Sequence, residues 1–153
     1  MPSLQVVLYG TVVGALVGNL DMHAKNIALL HLPDGSARLA PAYDVVPLTH
    51  YPGVDGRMAM SVNGVYVQHR ISRDDLVAEA ERWGLGTDRA EATVERTVSI
   101  IRDTAQREQP HARAYAGLPE AIDTAAGRLG NPATRLGLES QAVGVTPVPP
   151  PRR

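Results

Sequence analysis

Two apolar segments enclose one short polar segment in the first third of the chain. Residues 4–17 carry no charge, and a run of that kind predicts a buried helix. The apolar stretches at 27–32 and 36–40 flank the tripeptide Pro-Asp-Gly at 33–35, which favours a tight turn. The pattern therefore predicts a helix, a polar loop at 18–26 and a β-hairpin around that turn.

The second half of the chain has the spacing of amphipathic helices. Ser72 and Asp75 fit a capping box, and the helix that begins there should end near Gly84. A second helix is predicted from Thr87 or Asp88 to about Gln106, and a third from Pro119 to Gly130. The predicted fold class is therefore mainly α with a short β-hairpin.

Two other stretches complete the predicted organisation. The sequence MAMSVN at 58–63, followed by a glycine, favours one more extended segment. The last ten residues, 144–153, are proline-rich, and we expect them to form a disordered tail. The globular domain is accordingly placed at 1–143.

Composition excludes several classes of protein. The net charge is −1, from 15 basic and 16 acidic residues, whereas a general nucleic-acid or membrane-surface binder would show a basic excess. The chain has no cysteine, which excludes disulfides and thiolate metal sites and permits the cytoplasm, the expected location. Residues 4–20 contain two overlapping G-x-x-x-G units, but this apolar run is at the short limit for a membrane span and no basic residue precedes it. A buried helix is the better interpretation, and we expect no membrane partner.

The polar loop holds the chemistry that this sequence offers. Pairing of the two hairpin strands should bring its residues Asp21 and Asn26 near Asp44, which follows the second strand. Carboxylate and carboxamide oxygens suit Mg²⁺, and a carboxylate left free of metal can accept a proton from an attacking hydroxyl. Asp and Asn can also simply cap turns, and His23 can be an ordinary loop histidine.

Protein kinases place the same residue types at the same spacing. Their catalytic loop reads H-R-D-x-x-x-x-N, and a later Asp also binds the metal ions. Here Asp21 and Asn26 have that spacing, and Asp44 follows one hairpin later. Asn19-Leu20 replaces His-Arg, however, and the sequence YDVV replaces Asp-Phe-Gly, so the chain is not an ordinary protein kinase.

The longer strings GNLDMHAKN and LAPAYDVVP resemble the HipA-like serine/threonine kinases, the toxin components of bacterial toxin–antitoxin pairs. The resemblance runs from about residue 12 to residue 47 and implies a kinase-like C-terminal lobe with a catalytic loop at 18–26 and a metal loop at 41–47. Gly18 and Asn19 are expected to shape the turn into the first loop.

The resemblance also implies a role for each matching residue. Asp21 matches the base that takes the proton of a protein Ser or Thr hydroxyl. Asn26 and Asp44 match Mg²⁺ ligands. The residues that match nucleotide-contacting positions are His23, Lys25, Asn26, Tyr43 and Asp44. The implied cofactors are Mg²⁺ and ATP, and the implied partner is a helix-turn-helix antitoxin through which the kinase would reach DNA.

Parts of a complete kinase are missing from the sequence. No G-x-G-x-x-G loop occurs, and Lys25, the only lysine, belongs to the catalytic loop. We therefore expect a C-terminal catalytic lobe alone, from a truncated or split kinase whose N-terminal lobe is a separate chain. Because phosphoryl transfer depends mostly on clamping the nucleotide, this chain by itself should have weak or no kinase activity.

Two alternatives remain open at this stage. Small-molecule phosphotransferases of the aminoglycoside and choline kinase type use a D-x-H-x-x-N loop, which DMHAKN also fits. The chain could instead be a catalytically silent lobe that binds a partner through the apolar surface left by the missing lobe. Tests with protein and small-molecule acceptors, and of solubility with and without a partner, would separate these functions.

Overall fold

The computed structural model describes residues 2–131, so the predicted tail at 144–153 lies outside the described residues. Four α-helices and two two-stranded antiparallel sheets form this part of the chain. In chain order they are α1 (Pro2–Val17), β1 (Leu29–His31), β2 (Ala37–Leu39), β3 (Arg57–Val62), β4 (Val65–Val67), α2 (Arg73–Arg82), α3 (Thr87–Arg107) and α4 (Leu118–Gly130).

The four helices build the core. Helix α1 packs against α3 and α4, and α2 packs against α3. Completely buried side chains come from every helix, among them Leu8, Leu76, Val94 and Leu129. Full burial of each such aliphatic side chain stabilises the fold by about 1.5–3 kcal/mol. The predicted apolar stripes of the helices are thus the core of the protein.

The helix boundaries match the prediction closely. The capping box of α2 is present, because the Ser72 hydroxyl accepts a hydrogen bond from the Asp75 amide and the Asp75 carboxylate accepts one from the Ser72 amide. Helix α3 covers Thr87–Arg107, and α4 starts one residue before Pro119. A capping box and a first-turn proline are local signals, so they could be recognised without knowledge of the tertiary packing.

The first hairpin has the predicted centre. Leu29 pairs with Leu39 and His31 with Ala37, which places Asp34 at the middle of the connection. The Asp34 carboxylate accepts hydrogen bonds from the hydroxyl and the amide of Ser36, and these bonds lower the pKa of Asp34. The turn chemistry of Pro-Asp-Gly therefore acts as expected.

The hairpin is not buried, however, and here the apolar pattern was misleading. Ile27, Leu29 and Leu30 are all substantially exposed, with Leu29 58% accessible. Leu29 and Leu30 point to opposite faces of the hairpin, so both faces are partly exposed in the described part of the chain. Helix α1 therefore supplies the buried support of the polar loop, and the hairpin does so only in part.

A second hairpin was not predicted as such. Strands β3 and β4 are joined by Asn63 and Gly64, both with positive φ angles (50° and 81°). An Asn-Gly pair in this conformation is typical of a two-residue hairpin turn. The Asn63 backbone amide donates a hydrogen bond to the Glu79 carboxylate at 2.8 Å, which connects this turn to α2.

Among the described residues, no helix combines the length and hydropathy needed to cross a bilayer.

Candidate active site

The polar loop starts at a fixed point where α1 ends. Gly18 has a φ angle of 75°, and its amide and that of Asn19 both donate to the Gly14 carbonyl at the helix end. The Gly18 carbonyl accepts a hydrogen bond from the Thr49 amide at 3.1 Å. A Cβ atom at position 18 would lie only 2.0 Å from the Thr49 hydroxyl oxygen, so the close approach requires glycine.

A second anchor lies two residues further along the loop. The Leu20 carbonyl accepts a hydrogen bond from the Ala59 amide of β3 at 2.7 Å, and the Leu20 side chain is buried in the core. The backbone just before Asp21 is therefore held by the fold, while the Asp21 side chain remains 61% accessible. This combination of a fixed backbone and a free carboxylate suits a group that must meet an incoming substrate.

The remaining loop residues fold around Asp21. Residues Ala24–Asn26 form a single 3₁₀ turn, and the Asn26 side-chain amide donates to the Asp21 carbonyl at 3.3 Å. The His23 Nε2 atom lies 3.9 Å from Asp21 Oδ1, which is too long for a hydrogen bond but allows attraction when the imidazole is protonated. His23 Nδ1 is buried and has no hydrogen-bond partner among the described residues.

Two hydrogen bonds join the polar loop to the segment after the first hairpin. The Asn19 side-chain amide donates to the Asp44 carbonyl at 3.3 Å, and the Tyr43 hydroxyl donates to the Lys25 carbonyl at 2.8 Å. Segments 18–26 and 41–47 therefore lie next to each other. Asp44 itself is exposed and has a φ angle of 57°, a conformation that Asp adopts more readily than most residues.

The donor set of the two segments fits a hard cation. The Asn26 amide nitrogen is already engaged by the Asp21 carbonyl, so its oxygen is the atom that remains for a ligand. Together with the exposed Asp44 carboxylate, it offers the two oxygen types that Mg²⁺ accepts. Within residues 2–131 no group of three or more His, Asp or Glu side chains encloses a metal position, so a cation here would complete its shell with water or phosphate.

An apolar groove runs between α1 and the first hairpin, beside this polar cluster. Its volume is about 390 Å³, and its wall includes Val6, Tyr9, Ile27 and Leu39. Asn26 and Tyr43 line it too, whereas Asp21, Lys25 and Asp44 do not. The groove therefore adjoins the polar face of the loop but does not include its charged groups.

Sequence reasoning missed one feature of the site. Asn19 was expected only to shape a turn, yet it is 3% exposed and makes the side-chain bond to the segment that carries Asp44. Its position two residues before Asp21, where ordinary protein kinases have the His of His-Arg-Asp, was the only available signal.

Relatives and solved structures are similar to this chain over the same region. Two proteins of Sinorhizobium fredii, named "Putative kinase Y4mE" and "Putative kinase Y4dM", are each 28% identical to it, over 97 and 113 residues. These matches cover 58% and 74% of this chain but only 23% and 28% of the relatives. The chain thus spans about a quarter of the length of these curated relatives.

The fold is also found in a solved toxin structure. HipA of Shewanella oneidensis MR-1, in a complex with HipB and its operator DNA, superposes with a TM-score of 0.59 at 21% identity. The superposition covers 82% of this chain and 30% of that one.

A family model for the HipA-like C-terminal domain matches residues 2–105, more than half of the chain. That match includes both segments of the candidate site. The chain therefore belongs to the HipA-like C-terminal domain family.

Proposed function

We propose that this domain is a kinase-like C-terminal lobe that carries the catalytic and metal-binding half of a phosphoryl-transfer site, with ATP as donor and a protein Ser or Thr hydroxyl as acceptor. The observation that carries the proposal is the pair of hydrogen bonds that hold segments 18–26 and 41–47 together. As a result, the segment that carries Asp21 and Asn26 lies beside the segment that carries Asp44. The kinase names of the two relatives support the reaction class.

Asp21 is assigned the role of general base. Its accessible carboxylate would accept the proton of the substrate hydroxyl as that oxygen bonds to the γ-phosphorus. The bond from this phosphorus to the β–γ bridging oxygen breaks, and ADP leaves with that electron pair. His23 Nε2 lies 3.9 Å from Asp21 Oδ1, so the imidazole borders the carboxylate that would accept the proton.

Asn26 and Asp44 are assigned as the ligands of the cation. Mg²⁺, when bound, would neutralise charge on the nucleotide phosphates. The Asn26 side chain is oriented for this by its bond to the Asp21 carbonyl, which links the metal ligand to the backbone of the base. Asp44 is fixed through its own carbonyl, so its carboxylate is left free.

The residues proposed to contact the nucleotide are His23, Lys25 and Tyr43, together with the two metal ligands. Lys25 is exposed and can reach phosphate oxygens as a point charge. The Tyr43 hydroxyl donates a hydrogen bond to the Lys25 carbonyl, so this bond keeps the tyrosine ring close to the backbone that carries the lysine.

Partners follow from the family. HipA of Shewanella oneidensis was solved with HipB and operator DNA, and we propose a helix-turn-helix antitoxin as partner here, with DNA reached through it. Since the chain matches only 23–30% of its relatives, the nucleotide clamp would come from an N-terminal lobe outside these residues. Alone, the chain should therefore show weak or no transfer while it retains a weak magnesium–nucleotide site.

Calorimetry of ATP binding, with and without Mg²⁺, tests the proposal. Asp44→Asn removes the charge but keeps a residue that tolerates positive φ. Magnesium-dependent binding should be lost in this variant and retained in Asp103→Asn, an exposed position on α3. Equal binding by wild type and Asp44→Asn would contradict the assignment of Asp44.

A second candidate function is partner binding without catalysis, and one observation favours it. Helix α1 is apolar on all sides, a property of helices that are buried all round. Leu8 and Val12 are completely buried, yet Val6 and Tyr9 on the same helix are 50% and 39% exposed. In the described part of the chain one face of α1 is therefore uncovered, which suits a surface that another chain covers.

A further inference from the structure

We infer that Asn19 is a positioning residue for the metal-binding carboxylate of Asp44. This inference rests on the proposed function, because it assigns a role in the same magnesium site. Asn19 is not expected to touch the cation or the nucleotide. It acts through the backbone that carries the metal ligand.

The contact is specific in its geometry. Asn19 Nδ2 donates to the Asp44 carbonyl at 3.3 Å across 25 residues of sequence, and Asn19 is only 3% exposed. A buried polar side chain without an N–H donor would leave this carbonyl without the bond. The Asn19 backbone is fixed in turn, since its amide donates to the Gly14 carbonyl at the end of α1.

Asp44 is a residue whose backbone needs support. Its φ angle of 57° lies in the left-handed region, which is unfavourable for residues other than glycine. A hydrogen bond to its own carbonyl selects this conformation and thereby sets the direction of the carboxylate. The next anchor of the segment, the bond from the Thr49 amide to the Gly18 carbonyl, also comes from the end of α1. Gly18 and Asn19 therefore hold the segment from 44 to 49 at both ends.

The same bond links base and metal ligand. Asn19 is two residues before Asp21, and Leu20 between them is anchored to β3. A displacement of Asp44 relative to Asp21 would therefore require the Asn19 bond to break. The Oδ1 atom of Asn19 is buried and has no partner among residues 2–131, so the nitrogen makes the contact that the fold uses.

The test compares three variants of the full chain. Asn19→Asp keeps the shape of the side chain but removes the N–H donor, and Asn19→His restores an N–H donor with a different ring. Thr97→Ala is the matched control, because Thr97 is a buried polar residue on α3 that is 1% exposed and bonds only within its helix. Two readouts are measured: backbone amide exchange at Leu48, Thr49 and His50, which all donate to backbone carbonyls, and the Mg²⁺ dependence of ATP binding.

Loss of the donor should release the segment. Exchange at these three amides should rise roughly tenfold in Asn19→Asp, and magnesium affinity should fall roughly threefold to tenfold, as expected for one lost hydrogen bond. Asn19→His should recover part of both effects. Thr97→Ala should change neither, although it lowers overall stability.

The outcomes separate this inference from the proposed function. Unchanged local exchange in a folded Asn19→Asp chain would overturn the inference, and so would an equal response in Thr97→Ala. Faster local exchange in Asn19→Asp, with no magnesium-dependent ATP binding by the wild type, would support the positioning of Asp44 and overturn the proposed function. If Asn19→Asp does not fold, Asn19→His decides, and slow exchange with retained magnesium binding is the supporting result.

Discussion

Gly18 is the residue on which the close approach of the end of α1 to Thr49 depends. Gly18→Ala would place a methyl group 2.0 Å from the Thr49 hydroxyl oxygen in a backbone with positive φ. We expect a loss of roughly 2–4 kcal/mol in the free energy of unfolding, measured by urea denaturation. Gly35→Ala is the control, because Gly35 has a φ angle of 81° but no atom within 4 Å of its added Cβ.

Gly35→Ala should lose only about 1–2 kcal/mol in the free energy of unfolding, because it adds conformational strain without a steric contact. The difference between the two variants measures the steric contact with Thr49. Equal losses would show that crowding at Gly18 is relieved by movement of the segment.

Asp34 gives a prediction about pH at the turn of the first hairpin. The hydrogen bonds from Ser36 favour the charged carboxylate and lower its pKa, so their stabilising effect is complete above the ordinary pKa of Asp and is lost as the pH falls through the lowered value. Ser36→Ala should raise the pKa of Asp34 towards its ordinary value, because the hydroxyl bond is the main cause of the shift. Carboxyl ¹³C titration by NMR measures this, and Ser99→Ala on the exposed face of α3 should leave the Asp34 titration unchanged.

At the scale of elements, the capping box of α2 carries a measurable share of stability. Ser72→Ala removes the acceptor of the Asp75 amide and should cost about 1 kcal/mol in urea denaturation. Ser99→Ala makes the same chemical change at an exposed position inside α3 and should slightly stabilise the protein, because alanine favours the helix more than serine. A similarly small effect of Ser72→Ala would mean that Asp75 maintains the start of α2 by itself.

The elements could be predicted where their signals are local. The capping box, the first-turn proline of α4 and the Pro-Asp-Gly turn each act within a few residues, and all three elements have the predicted position. The Asn63-Gly64 pair was an equally local hairpin signal, and it was overlooked because the flanking apolar residues had been assigned to one extended segment. Burial of Leu29 could not be judged from its apolar character, because burial depends on which elements cover the hairpin.

The candidate site was predictable in part for the same reason. The hairpin register follows from its turn, and the register brings Asn26 and Asp44 to neighbouring backbone. The bond between Asn19 and the Asp44 carbonyl was not predictable, because it depends on how the end of α1 meets the metal segment. Local sequence thus predicts which segments lie next to each other, and tertiary contacts determine how their side chains are held.

At the scale of the whole molecule, polar and apolar surfaces are unevenly distributed. Seven of the thirteen large exposed apolar side chains among the described residues lie on α1, the first hairpin and the segment that follows it: Val6, Tyr9, Ile27, Leu29, Leu30, Tyr43 and Val45. The helices α2, α3 and α4 expose only Ile100 from their own described residues in this class. The α1–hairpin region is therefore richer in exposed apolar side chains than the outer faces of these three helices, as expected of an interaction surface.

This asymmetry predicts self-association when the chain is purified alone. Apolar side chains left without cover gain free energy by burial against a second copy. The combined variant Val6→Lys and Leu29→Lys should weaken association measured by sedimentation equilibrium at least tenfold, because burial of either ammonium group is unfavourable.

Ile100→Lys is the control for that variant, since Ile100 is 40% exposed on α3, outside the apolar face, and should leave association unchanged. Equal weakening by both variants would indicate nonspecific aggregation. A wild-type chain that stays monomeric at every concentration tested would mean that this face needs a complementary partner, because exposed apolar area alone does not specify an interface. Association that is weakened only by changes on the α1–hairpin face would instead identify this face as an interaction surface of the domain.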